Sequence, residues 1–308
     1  MTAARPERFG PEAADNTRLA IATIVFTVAA LSFGDAVIKL VSADFPLWQI
    51  FVVRSLVALP VLVAIAAASR RFGLTVLKLV APGWSILRSL LLVAMWVLYY
   101  ASLPHLKLSI AASAYYTLPL FICLFSALLL KERVGLLGWL AVALGFIGVV
   151  LILDPSAGDF NAFVLLPLGS AVLYALAMIL TRTRCRAEHP LALSVVLNVS
   201  FVAAGLIGTL LGGTLSDGGY FGGTWVVMGP REWGAMGILA GAILIGSVGA
   251  AIAYQIGRPS VIASYDFSYV GFAALWGALF FSELPSLQAA AGMALIVLAG
   301  ILAVRRRV

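Results

Sequence analysis

Charge is what this chain has least of. Only 11% of its 308 residues are charged and 63% are hydrophobic. An ordinary soluble domain carries about 25% charged residues, so a soluble globular protein is excluded and a membrane protein is indicated. There are two cysteines, Cys123 inside an apolar run and Cys185 in a basic loop, which excludes a disulfide framework and a thiol–metal site. The two histidines, His105 and His189, fall in loops expected on opposite faces, so a two-histidine metal centre is excluded as well. No Gly-Lys dipeptide occurs, which removes the phosphate-loop lysine, and no H-E-x-x-H motif occurs either. No polar stretch is long enough for a separate soluble domain. The chain therefore reads as a non-enzyme without metal or cofactor.

What the sequence has in abundance is apolar runs of membrane-crossing length, each needing about 20 residues. They fall near residues 19–41, 46–68, 83–103, 107–130 and 134–153, and again near 162–182, 190–213, 232–254, 258–281 and 285–304. The first of these outruns a signal-peptide core and continues to Asp35 and Lys39, so it is expected to be a retained span.

The two sets of five are related by an internal repeat. Residues 109–151 align without a gap onto 260–302, with identities that include Ser113/Ser264, Phe121/Phe272, Leu144/Leu295 and, most telling, Glu132/Glu283. Both glutamates interrupt apolar stretches at the same phase. An odd number of spans per copy makes the second copy enter the membrane in the opposite sense, the arrangement of carriers whose site lies at the repeat interface. The expected fold is an all-α membrane protein with ten transmembrane helices, built as two five-helix inverted-topology repeats around a central cavity. Its divisions are a cytoplasmic tail over 1–18, a first repeat over 19–153, a linker over 154–161, a second repeat over 162–304 and a basic tail over 305–308.

Basic residues set the orientation. With the N-terminus inside, cytoplasmic segments hold 15 of the 20 lysines and arginines, among them Arg70, Arg71, Arg182, Arg184, Arg186 and Arg305–Arg307. Outer loops hold only Lys107 and Arg231. Both termini are thus expected in the cytoplasm. The net charge of +7 is a topology signal and not a nucleic-acid footprint.

In this order of motifs the chain resembles the drug/metabolite transporter superfamily, in its ten-helix EamA-type branch. The residues carrying the likeness are Pro46 and Arg54 in the second span, Tyr99-Tyr100-Ala101 closing the third, Pro119 in the fourth, and Glu132, Leu144 and Gly148 leading into and along the fifth. The second copy keeps Tyr174-Ala175, Glu283, Gly292 and Leu295, but has Val270 where the first has Pro119, so kinking is expected to differ between the halves. Within the superfamily the chain is most similar to exporters of amino acids, aromatic ones included. The resemblance implies a secondary transporter of the cell inner membrane that exports amino acids by alternating access. The alternative is a carrier of a larger aromatic or cationic metabolite, such as a vitamin or S-adenosylmethionine. A small-molecule substrate and the lipid bilayer are the expected partners, nucleic acid is not, and a monomer is expected.

Polar groups inside the spans are the candidate site, because a lone charge at the bilayer centre costs roughly 2.5–3.5 kcal/mol on insertion scales. Asp35 and Arg54 lie at similar depth, about 9 and 12 Å from the outer ends of consecutive spans, and are expected to pair. Lys39, at i+4 from Asp35, can reach the interface. The pair reads equally as a static clip or as a gate. Arg88, about 8 Å inside the third span, and Asp266, about 11 Å inside the ninth, could pair across the halves; Arg88 could also snorkel to the inner surface. Asp266 cannot easily reach water except through a cavity.

Tyr99 and Tyr100 fit an interfacial belt, with Tyr99 also kept among the substrate contacts. Tyr115, Tyr265 and Tyr269 lie deeper, where a hydroxyl needs a partner, and read as cavity lining or buried core. Pro119 removes a helical hydrogen bond to the carbonyl of Tyr115 and marks a kink or a broken-helix contact. The candidate substrate-binding set is Tyr99, Tyr115, Pro119, Tyr265, Asp266 and Tyr269, and the candidate gating set Asp35, Arg54, Arg88 and Asp266. Gly237-x-x-x-Gly241, Gly145, Gly148, Gly292 and Gly300 are expected to permit close helix contacts. The fifth and tenth spans, poor in polar groups, are expected at the periphery.

Overall fold

The computed structural model describes residues 17–41, 45–68, 73–129, 136–153, 162–215, 225–257, 259–266, 268–282 and 286–305. Among them, all long regular structure is α-helical. In order these are α1 (Thr17–Val41), α2 (Leu47–Ala68), α3 (Pro82–Ser102), α4 (Leu108–Tyr115), α5 (Leu118–Leu129), α6 (Leu136–Leu153), α7 (Leu165–Thr183), α8 (Pro190–Leu215), α9 (Pro230–Ile256), α10 (Pro259–Asp266), α11 (Ser268–Phe281) and α12 (Leu287–Arg305). Helices satisfy every mid-chain backbone group internally, which is what a bilayer demands of a spanning segment. Proline opens α3, α8, α9 and α10, where its missing N–H is one the first turn leaves unpaired anyway.

Among the described residues, seven helical stretches are long and apolar enough to cross a membrane: Thr17–Val41, Leu47–Ala68, Pro82–Ser102, Ile110–Leu129, Ala162–Thr183, Pro190–Leu211 and Pro230–Ile256. The remaining expected spans are helical where described, as α6, α10 with α11, and α12. Glu132 and Glu283 lie outside the described residues, as does the junction between α10 and α11, so the expected contrast in kinking is described for the first copy alone.

The principal helix contacts join one half of the chain to the other: α6 with α12, α1 with α9, α2 with α8, and α3 with α7. Exchanging the halves maps α1–α9 onto α3–α7 and leaves α2–α8 and α6–α12 unchanged. The contact pattern is therefore symmetric under the internal repeat. Helices α6 and α12 lie mainly against each other and turn Trp139, Phe146, Ile147, Val297 and Leu298 outward, as expected of peripheral helices.

Glycine allows two of these crossings, though at different positions from those expected. A Cβ on Gly34 would sit 2.8 Å from that of Ala242, and Cβ atoms on Gly246 and Gly249 would strike Leu31 and Thr27, so α1 and α9 approach through missing side chains. Gly205 and Gly208 of α8 meet Val52 and Trp48 of α2 in the same way. Gly145 fits the expectation, since a Cβ there would collide with Leu120. Gly237 and Gly241, in contrast, have open space where a Cβ would stand. The G-x-x-x-G spacing was legible, but its face points away from α1.

Candidate functional site

At the centre of the bundle four charged side chains, Asp35, Arg54, Arg88 and Asp266, are each no more than 2% exposed. Asp35, Arg88 and Asp266 line one cavity, which encloses roughly 560 Å³ of empty space including its opening. Its walls come from α1, α3, α4, α7, α9, α10 and α11, with Leu197 added by α8. Under the repeat these walls are the first, third and fourth segments of each copy, so both halves contribute corresponding segments to the cavity. A smaller pocket of about 200 Å³ adjoins it, sharing Leu31, Asp35, Trp96 and Ile243 and adding Arg54 and Tyr100.

Aromatic rings make most of the specific geometry. Tyr116 and Tyr269 stack at 4.5 Å with planes 22° apart, joining the two halves across the cavity. Tyr115 meets Tyr116 edge-on at 5.1 Å and Tyr174 at 5.9 Å. Two consecutive tyrosines reach one cavity because the helix breaks there. Helix α4 ends at Tyr115, the Tyr116 N–H still bonds the Ala112 carbonyl, and α5 begins at Leu118. The break falls just before Pro119, whose ring cannot supply the N–H that would continue the ladder to Tyr115. The Pro119 side chain itself lies outside the described residues.

Each buried carboxylate is met by two phenols. Tyr100 donates to Asp35 Oδ1 at 3.2 Å, and Tyr269 donates to Asp35 Oδ2. Tyr254 and Tyr174 donate to Asp266 Oδ2 at 2.7 and 3.3 Å. Hydrogen bonds to an ionised group are worth about 1.5–3 kcal/mol each, enough to hold these side chains in one orientation. The Tyr99 and Tyr269 hydroxyls lie 3.0 Å apart and extend the first network.

The expected ion pairs are replaced by other contacts. Arg54 donates through Nη1 to the Tyr100 hydroxyl at 3.3 Å, so Tyr100 stands between Arg54 and Asp35. The guanidinium sits among Phe201, Phe51, Tyr100 and Trp96, 4.5–6.0 Å from the ring centres, and its Nε and Nη2 have no hydrogen-bond partner. These faces offer cation–π attraction in place of the Coulombic attraction of a direct carboxylate contact. Arg88 does not meet Asp266 and does not snorkel. Its Nε donates to Thr181 Oγ1 at 2.7 Å, it is 1% exposed, and Nη1 is buried without a partner. Asp266 is taken by its two tyrosines instead. Lys39 is anchored on the Leu106 carbonyl at 3.2 Å, over the Phe281 ring.

Tyr99 and Tyr100 are buried inside the bundle at 1–2% exposure and are not belt residues. Tyr265 is only half-buried and is absent from the cavity wall, whereas Asp266 at the end of α10 and Tyr269 near the start of α11 both line it. Sequence reasoning missed Tyr254, Thr181 and Trp96 as polar or cavity-lining partners. Tyr254 carried a signal, since a tyrosine at mid-helix in an apolar segment requires a partner for its hydroxyl.

A second polar cluster sits at the α7–α8 loop. Glu188, 3% exposed, accepts from the Val80 and Ala81 N–H groups at 2.6–3.0 Å and from the Ser85 hydroxyl at 3.3 Å. It thereby caps α3, whose own N-cap residue Ala81 offers no side-chain bond. Gln255 at the end of α9 donates to the Cys185 and Glu188 carbonyls at 3.1 and 2.8 Å. Burial pushes the Cys185 thiol up, against the opposing pull of the Arg88 charge. Glu188, the acid that follows the basic run Arg182–Arg186, was the available signal for this cluster.

The described helices thus surround an aromatic, charge-bearing cavity, and membrane transporters are among the proteins the chain resembles. Residues 18–154, the first half of the chain, are similar to the EamA-like transporter family. Among curated relatives, a riboflavin transporter of Vibrio cholerae is 29% identical, over 70% of this chain and 69% of its own length. A pseudopaline exporter of Pseudomonas aeruginosa is 26% identical over 90% of this chain and 93% of its own. An S-adenosylmethionine uptake transporter of Rickettsia conorii is 30% identical over a shorter stretch, 36% of this chain and 38% of its own. A crystal structure 22% identical in sequence superposes with a TM-score of 0.67, covering 96% of this chain and 99% of its own, which shows the fold. The chain is thus similar to membrane transporters, its first half to those of the EamA-like family.

Proposed function

We propose that this chain is a secondary carrier of the inner membrane that moves an aromatic, nitrogen-bearing metabolite by alternating access, with the central cavity as its substrate site. The observation carrying this reading is the joint presence of Trp96, Tyr115, Tyr116, Tyr174 and Tyr269 with Asp35 and Asp266 on one cavity wall. Tyrosine and tryptophan faces hold planar or cationic groups, and each carboxylate offers an acceptor to a ligand N–H. The relatives named for riboflavin and S-adenosylmethionine carry substrates of this description. In this reading the ten spans form two inverted five-helix repeats with both termini cytoplasmic. Asp35 with Tyr100 and Arg54 belongs to the outer half of the pathway, and Arg88 with Thr181 to the inner half. Reporters fused at Arg307 and inserted near Gly219 should signal cytoplasm and outer compartment respectively; the reverse would overturn the orientation.

Amino acid export is the second reading. It is favoured by opposite charges, Arg88 and Asp266, facing one cavity without meeting, which suits a zwitterion. The two are separated by proteoliposomes supplied with labelled riboflavin, S-adenosylmethionine, tryptophan, phenylalanine or threonine, with flux measured in both directions against protein-free vesicles. Saturable flux of riboflavin or S-adenosylmethionine supports the first reading, and flux confined to amino acids supports the second. Product formation or non-saturating leak would refute both.

A further inference from the structure

Arg88 is a cation held in place with a donor to spare. Thr181 Oγ1 accepts from its Nε at 2.7 Å while giving its own hydrogen to the Ala177 carbonyl at 2.8 Å, so the side chain is fixed on α7 by a two-step chain. Nη1 remains buried with no hydrogen-bond partner, and the residue lines the central cavity. A buried donor left unmade costs about 1–3 kcal/mol, and more when it is charged. The carboxylates of the same cavity do not relieve that cost. Asp266 accepts from Tyr254 and Tyr174, and Asp35 from Tyr100 and Tyr269. The wall thus presents an unsatisfied cation on the α3 side and a tyrosine-held anion on α10, with the stacked Tyr116 and Tyr269 rings also facing the space.

We infer that Arg88 is the carboxylate-recognition residue of this carrier, and that a bound substrate places its carboxylate on Nη1 while its amino group or aromatic part lies toward Asp266 and the tyrosines. Thr181 is a positioning residue that aims the guanidinium. A phosphate is not the group this geometry fits, because it would require several convergent cationic donors, and Arg54, the other deep arginine, lines the adjoining pocket with Tyr100 between it and Asp35. This inference rests on the cavity being the substrate site and narrows its occupant to carboxylate-bearing molecules.

The probe is indole-3-acetate compared with its neutral isostere indole-3-acetamide, each titrated against the purified full chain with thermal stability as readout. One charge-assisted hydrogen bond predicts that wild type binds the acetate roughly tenfold to a hundredfold tighter than the amide. Arg88→Gln should abolish that preference, Arg88→Lys should keep part of it, and Thr181→Val should weaken it. Equal affinity for the two probes in wild type, or a preference that survives Arg88→Gln, overturns the inference. If Arg88→Gln fails to fold, wild type with Arg88→Lys still decides: no preference in the former, or an undiminished one in the latter, refutes it. Failure of the carrier reading looks different. An Arg88-dependent preference without flux of any labelled compound would sink transport and leave the anion site. Flux without the preference would do the reverse.

Discussion

Replacing Glu188 by alanine tests whether the two halves are tied together at the α7–α8 loop. The carboxylate accepts two backbone N–H groups, from Val80 and Ala81, and one hydroxyl, from Ser85, in a setting 3% exposed. Alanine leaves the start of α3 with part-buried donors and no cap. Each abandoned donor costs about 1–3 kcal/mol, and because small shifts let water reach some of them, the net loss is about 2–4 kcal/mol. At a few degrees per kcal/mol for a chain of this size, the unfolding midpoint should fall by roughly 5–15 °C. Glu188→Gln keeps one carbonyl acceptor but turns an NH₂ toward donors, and should lose about half as much. The assay is thermal unfolding of the purified protein in one detergent at one concentration, with proteolysis at the α7–α8 loop as a second readout. Since Glu188 belongs to the second half and α3 to the first, the variant should also label faster at a cysteine placed at Met178. A midpoint within about 1 °C of wild type, with unchanged proteolysis, would show that the cap contributes nothing.

Asp266→Asn and Arg88→Gln should be additive in stability without substrate, within about 0.5 kcal/mol, because their hydrogen-bond partners differ; coupling beyond that by double-mutant thermal unfolding would restore a direct pair. Tyr254→Phe and Asp266→Asn, in contrast, share a 2.7 Å hydrogen bond and should couple by roughly 1–3 kcal/mol in the same measurement. Gly249→Val drives a side chain into Thr27 and should cost about 1–3 kcal/mol or more, whereas Gly237→Ala, with open space around it, should be neutral or slightly stabilising; equal thermal shifts for the two would refute the assigned contact face. His189 accepts the Leu191 N–H through Nδ1 at the start of α8, and partial burial holds its titration below the ordinary 6.5. Its contribution to stability is therefore full above that value and fades as pH falls through the lower folded value, so His189→Ala should flatten the acid side of the stability profile; an unchanged profile would show that His189 plays no part.

The sequence made the class and the half-to-half relation legible because both are written in long-wavelength features. Apolar run lengths answer to bilayer thickness, and the 151-residue offset carries the repeat across 43 aligned positions. Depth was legible too, since 1.5 Å per residue along a helix locates Asp35, Arg88 and Asp266 about 8–11 Å inside their spans, deep enough to line the cavity. What one dimension does not carry is azimuth. Depth alone pairs Asp35 with Arg54 and Arg88 with Asp266. The rotation of each helix decides instead that phenols from α3, α7, α9 and α11 reach the carboxylates first. The same limit explains the glycines, where spacing identifies a small-residue face but only the neighbouring helix determines which face is used. It also explains Tyr265, which shares depth with Asp266 yet sits about 100° around the axis from it and leaves the cavity to Tyr269.

That distinction bears on how such a carrier can be selective. Direct ion pairs at mid-membrane would spend the charge of the site on holding the protein together. Tyrosine hydroxyls orient a carboxylate without cancelling its charge, and aromatic faces and a threonine do the same for the two arginines. The full electrostatic contrast therefore stays available to a ligand in a low-dielectric space, where it is worth most. Desolvating those charges is costly in the empty state, and a substrate of matched charge recovers that cost on binding. A mismatched one leaves a donor or an acceptor unmade at about 1–3 kcal/mol each, which is the larger part of discrimination. On this basis the contrast between carboxylate and amide at Arg88, and between amine and hydrocarbon at Asp266, should exceed any contrast obtained by changing the size of the aromatic group. A ring enlargement that altered affinity more than loss of either polar group would show that the tyrosine walls, and not the spared charges, choose the substrate.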